Sequence, residues 1–244
     1  VADGTRVYQL HPLLREFLRN RAAPALPDAL GPAALQRAAA LLRDAGHGED
    51  AVALLVECGN WSEVARIVAI DADAMLAQGR SETLAGWLEQ LPRTLLDADP
   101  RLLHVYAQSR AHASPRTARR LFEQAHERLR GTGDTRAVAQ SCRGIVDAII
   151  QEFDDLAALD RWMSALADLL SAESPDAVAP GALATLVRAL LLRDPGNAGL
   201  AKWLTHAQHA APDTCAELVL ARAMAATLHG DFAGADRIIG SLRA

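Results

Sequence analysis

His206 and His209 lie three residues apart on one expected helix, with Asp213 and Cys215 close behind. Imidazole, carboxylate and thiolate together could hold a divalent metal. No closed four-ligand spacing accompanies them, so a solvated helical face accounts for the same residues, and no metal site is expected. The acidic pairs Asp154-Asp155 and Asp71 with Asp73 fall at helix starts or on polar faces, where a carboxylate favours the helix dipole or stays hydrated. General acid-base work would need a shifted pKa that nothing around them predicts. A phosphate-cradling loop needs a lysine after glycine, and the single lysine of the chain sits in Ala201-Lys202-Trp203. With no Gly-x-Ser-x-Gly elbow either, the chain is expected to be neither an ATPase nor any other enzyme.

Arg116, Arg119 and Arg120, with Arg128 and Arg130 further on, make a basic stripe that could bind an acidic surface or a phosphorylated ligand. Glu123 and Glu127 fall at helical spacing from them, so a solvent face laced with ion pairs is the reading adopted. Trp61, Trp87 and Trp162 occur inside apolar helical patterns and are expected to pack between helices. Trp203 shares its segment with His206 and Gln208 and is flanked by alanines, which makes it a candidate for lining a ligand groove. Cys58, Cys142 and Cys215 are far apart, odd in number and set in apolar patterns, as reduced core thiols would be.

The elements that must position these residues are helices. Half of the 244 residues are hydrophobic, only 4% are aromatic, and alanine is abundant, so local propensity favours helix nearly everywhere. The expected class is all-α; residues 5–10, ahead of Pro12, are the one strand candidate. A net charge of −5 is the wrong sign for a chain that binds nucleic acid by neutralising phosphates. No apolar run reaches the roughly 18 residues of a membrane span, and no signal peptide opens the chain. A cytoplasmic location and no membrane partner follow as expectations. Val1 in place of a starting Met suggests a piece of a longer polypeptide.

Short helices follow one another from residue 32, divided by turn signals: Gly46, Gly59-Asn60, Ser81, Pro92, Pro100, Pro115, Asp134, Pro195, Pro212 and Gly230-Asp231. Gly59-Asn60-Trp61 can be laid over Gly230-Asp231-Phe232, and Glu152-Phe153-Asp154 is a degenerate copy. Second helices of successive pairs would begin near Pro115, Asp154, Pro195 and Asp231, a period that belongs to tetratricopeptide-like helix-pair superhelices. Trp61 and Phe232 are then expected to bury equivalent rings. The inner face of residues 100–244 should come from the first helix of each pair, with Tyr106, Gln108, Arg110 and Arg143 as candidate ligand contacts suited to sugars or anionic small molecules.

Tyr8-Gln9-Leu10-His11-Pro12-Leu13-Leu14-Arg15-Glu16-Phe17-Leu18, the Gly59-Asn60-Trp61 turn and Trp87-Leu88-Glu89-Gln90-Leu91-Pro92 together resemble the maltose-activator-type, LuxR-family ATP-binding transcriptional regulators. These belong to the signal-transducing ATPases with numerous domains, and the resemblance covers residues 5 to about 130. It implies the end of a winged-helix module over 1–22, a linker over 23–31, a first helical segment over 32–99 and repeats over 100–244. It also implies a chain without a cofactor of its own. In the full-length protein, an upstream ATPase would bind ATP or ADP, a DNA-binding domain would follow, and a small-molecule inducer or regulatory protein would be sensed. His11 matches the family's histidine that contacts the β-phosphate of ADP, although Pro12 stands where the family has aspartate. A freestanding helical-repeat scaffold that binds only proteins is the alternative.

Overall fold

The computed structural model describes residue 13 and residues 26–172, 180–210 and 216–241. The strand candidate over 5–10, and His11, Asp213 and Cys215, lie outside the described residues. The described chain is all-α, as its composition requires, and contains no strand. It divides into two compact units, Val1–Ile67 and Val68–Ala244.

The first unit holds α1 (Leu26–Asp44), α2 (Gly48–Glu57) and the start of α3 (Trp61–Ala77). Helix α1 starts six residues ahead of the expected position, within the Pro- and Ala-rich stretch. It packs on α2 around Ala39, Ala51, Val52 and Leu55, all buried. Gly59 takes φ +68°, a left-handed conformation that a side chain would strain, and lets the chain turn directly into α3. Asn60 Oδ1 then accepts from the Glu63 amide at 3.3 Å, capping that helix as its residue type predicts.

In the second unit, the rest of α3 is followed by α4 (Ser81–Gln90), α5 (Arg93–Ala98), α6 (Pro100–Arg110), α7 (Pro115–Leu129) and α8 (Thr135–Glu152). After a short 3-10 turn come α9 (Leu159–Ala172), α10 (Pro180–Arg193), α11 (Leu200–Ala210), α12 (Ala216–Leu228) and α13 (Phe232–Gly240). The segment between Pro92 and Pro100, expected to be a connector, is itself helical. Its Leu96 is buried, which supplies the reason for so short a helix to form.

The packing order shows helix pairs. Helices α6 and α7, α8 and α9, α10 and α11, and α12 and α13 lie against each other, and each first helix also meets the next, α6 on α8, α8 on α10 and α10 on α12. Residue choice explains the close approach between the first two of these pairs: a Cβ on Gly144 of α8 would stand 2.6 Å from the Phe122 ring of α7. Only a hydrogen at that position lets the buried ring lie flat on the helix. On the far side of α8, Ile145, Val146 and Ile149 are sealed from water.

Two boundaries differ from the expected period. Asp155 caps the 3-10 turn through the Ala157 amide at 2.9 Å, so the long helix begins at Leu159. Asp194 to Gly199 form turns, with Asn197 Oδ1 accepting from the Gly199 amide, and delay α11 to Leu200. The expected burial of Phe232 is also corrected: the ring is 66% exposed, whereas Trp61 is half-buried. The two turns share a positive-φ glycine and a capping side chain. Phe232, however, is the first residue of α13, whose buried positions are Gly234 and Ala235.

Candidate functional site

A groove of about 860 Å³ runs along the second unit, lined chiefly by α6 and α8, with the end of α3 and parts of α7. The first helices of two successive pairs thus supply most of its wall. Along α6 it is bordered by Arg101, His104, Val105 and Gln108, positions repeating at three and four residues on one helical stripe, and beyond the helix end by Ala111 and His112. Along α8 the corresponding stripe includes Arg136, Gln140, Arg143, Asp147 and Gln151.

The structure therefore brings Gln108 and Arg143 to one groove and leaves Tyr106 and Arg110 out of its lining. Tyr106 donates to Glu89 Oε1 at 3.2 Å; Arg110 contacts the same carboxylate and reaches Glu82 at 3.2 Å. These two residues clamp α6 to α4. Burial, followed by the nearby Glu89 charge, raises the Tyr106 pKa. Trp203 is buried and borders a separate cavity of about 590 Å³ among α9, α10 and α11, beside the Arg193–Asp160 ion pair at 2.9 Å. Lys202 lies over its ring, 4.8 Å from the centroid.

Arg143 is held by charge as well as facing the groove. Its Nη2 donates to both Glu217 oxygens at 2.7 and 2.6 Å, and its Nε lies 3.5 Å from Asp147. Asp147 also accepts from Thr185 Oγ1 at 3.1 Å and pairs with Arg188. One carboxylate and one guanidinium on α8 are in this way tied to α10 and α12. Burial pushes the Asp147 pKa up, and the Arg188 and Arg143 charges pull it back.

His104 is the groove residue that the sequence reading missed. Its Nδ1 is sealed from solvent with no hydrogen-bond partner, while the ring packs edge-on to Phe122 with centroids 5.1 Å apart. Burial, reinforced by the Arg143 charge, lowers the His104 pKa to about 4, so the ring is neutral at pH 7. A neutral imidazole offers one donor and one acceptor. The signal that could have found it was its position four residues before Gln108.

No protein-family model matches the chain, and no curated protein matches it. The residues must therefore carry the functional reading. His206 Nδ1 is 3.0 Å from the Lys202 carbonyl oxygen, within its own helix, and no group of three or more His, Cys, Asp or Glu side chains among the described residues is arranged to hold a metal. Cys142 is buried, which pushes its thiol up to about 12, and Cys58 is half-buried. In the arginine stripe, Arg119 pairs with Glu123 and Arg130 with Glu127, the two carboxylates at helical spacing, while Arg119 also reaches Glu152, and Arg116 and Arg128 pair with Asp154 and Asp97, which spacing does not give. No described helix is long and apolar enough to cross a membrane.

Proposed function

We propose that this chain is a non-catalytic, signal-sensing and protein-interaction region of a multidomain cytoplasmic transcriptional regulator. Its tetratricopeptide-like helix pairs receive an inducer or regulatory protein and pass that event to an ATPase upstream and a DNA-binding domain downstream. The resemblance of residues 5 to about 130 to the maltose-activator-type regulators supports the wider setting. The observation that carries the sensing role is the groove built by successive first helices. A ligand lying there touches α3, α6 and α8 together, and can favour one relative packing of these helices over another only through such differential contacts. Arg143 connects this wall to α12 through Glu217, giving the change a physical route along the array.

The test has two parts. The complete gene is expected to encode a Gly-x-x-x-x-Gly-Lys-[Ser/Thr] loop before this segment and a helix-turn-helix after it; a gene lacking both favours the freestanding scaffold. Calorimetry on residues 1–244 with MgATP and MgADP is expected to show no micromolar binding, because a phosphate cradle needs a lysine that the chain does not place after glycine. A micromolar Kd for either nucleotide would overturn the assignment of nucleotide chemistry to another domain.

A further inference from the structure

We infer that Arg143 is a strap: laid through a notch at Gly181, it couples the second helix pair directly to the fourth over the third, and its release loosens α12 while α8 and α10 stay packed. The packing order gives the first argument. Helix α8 packs on α10 and α10 on α12, so contact passes from neighbour to neighbour along the array. The Arg119–Glu152 and Arg193–Asp160 bridges follow that order, each joining helices packed directly on each other. Arg143 departs from it, reaching from α8 past α10 to Glu217 of α12, 74 residues along the chain.

Both ends of the strap are held. At its root, Nε lies 3.5 Å from Asp147, one turn along α8, and that carboxylate accepts from Thr185 of α10 at 3.1 Å and pairs with Arg188. At its tip, Nη2 donates to the two Glu217 oxygens at 2.7 and 2.6 Å. Charge alternates along the run Arg188, Asp147, Arg143, Glu217, and a network of this kind holds its geometry better than one isolated exposed pair. The Arg143 and Glu217 side chains stay partly exposed, so the tip can open without unpacking the apolar core beneath it.

Gly181 lets the strap lie down. A Cβ at that position would stand 2.7 Å from the guanidinium carbon of Arg143 and 3.1 Å from Glu217 Oε2, and its three nearest atoms all belong to these two side chains. Alanine is the better helix former, but the space its methyl would take is filled here by the two charged ends. A side chain at 181 therefore lifts the guanidinium off α10 while leaving every charge in place. Arg143 also borders the groove, so a guest that draws it from Glu217 loosens α12; that step rests on the sensing role proposed above, whereas the strap itself does not.

Native-state hydrogen exchange on residues 1–244, with no guest present, tests the strap in Arg143→Met, Gly181→Ala and the double variant. Each single variant is expected to speed exchange at the buried Ala221, Ala223 and Ala225 amides of α12 by about two- to fivefold at low salt. Ile145 and Ile149 of α8 should change little, and about 1 M salt should erase most of the difference from wild type. The double variant should go no further than either single one, because both remove the same strap. Gly181→Ala is the discriminating arm: acting only through helix propensity it would slow exchange or leave it unchanged, and either result overturns the notch. Additive effects in the double variant, or acceleration spread evenly over the second unit, overturn the strap and leave the sensing role standing. Should Gly181→Ala fail to fold by circular dichroism, Glu217→Gln replaces it, with the same lack of additivity toward Arg143→Met expected and full additivity overturning the coupling.

Discussion

Gly144 and Phe122 show how much one hydrogen atom decides in this protein. With 2.6 Å between the ring and a would-be Cβ, Gly144→Ala forces α7 from α8 or drives the ring from its rotamer. Overpacking of this kind costs about 1–3 kcal/mol, and chemical denaturation should show that loss although alanine is the better helix former. His104 has a different signature. Its folded pKa near 4 lies below the ordinary imidazole value of 6.5, so the unfolded chain takes up the proton first. Its contribution is intact above pH 6.5, declines as pH falls from 6.5 to about 4, and is lost below that, by up to roughly 3 kcal/mol. His126, lowered chiefly by burial, acts in the same direction, whereas the raised Asp147 acts oppositely. The His104→Leu variant should therefore lose part of the acid slope measured for the wild type, and an identical slope would show that the ring is charged in the folded state.

Arg143 and Glu217 link α8 to α12 across Gly181 of α10, where a Cβ would meet the guanidinium. Both side chains retain solvent contact, with 31% and 49% exposure, so a double-mutant cycle of Arg143→Met and Glu217→Gln should return a coupling of only about 0.5–1 kcal/mol, shrinking in high salt. Element boundaries were legible wherever a capping side chain or turn glycine wrote them: Asn60, Asp134 and Asp231 accept amide hydrogens as their positions predict. They were obscure where a turn inserted itself after the signal, at Asp154 and Pro195. The candidate site was half legible for a related reason. Tyr106 and Arg110 stand four apart and share a stripe, but Gln108 lies two from each and must face elsewhere. Periodicity gives that division; which stripe meets α4 and which meets the groove depends on packing partners distant in sequence.

Across the second unit, α8 contacts α6, α7, α9 and α10 and seals Ile145, Val146 and Ile149 from water, whereas α13 packs principally on α12. Stability in repeat arrays is a sum of local and neighbour terms and varies along the chain. Native-state hydrogen exchange should find the slowest amides around Ile145 and Ile149 and faster ones in α13; uniform protection would mean that the pairs unfold as one cooperative block. The same neighbour-to-neighbour construction is stitched by ion pairs whose cationic partner is arginine at every described bridge set out above, from Arg101 to Arg193. Guanidinium keeps its proton beyond pH 12 and is indifferent to acylating reagents. Lys202, the chain's only lysine, lies on Trp203 away from those bridges. Acetylation, which rewrites the surface of a lysine-rich protein, would here remove one side-chain charge and leave the stitching intact.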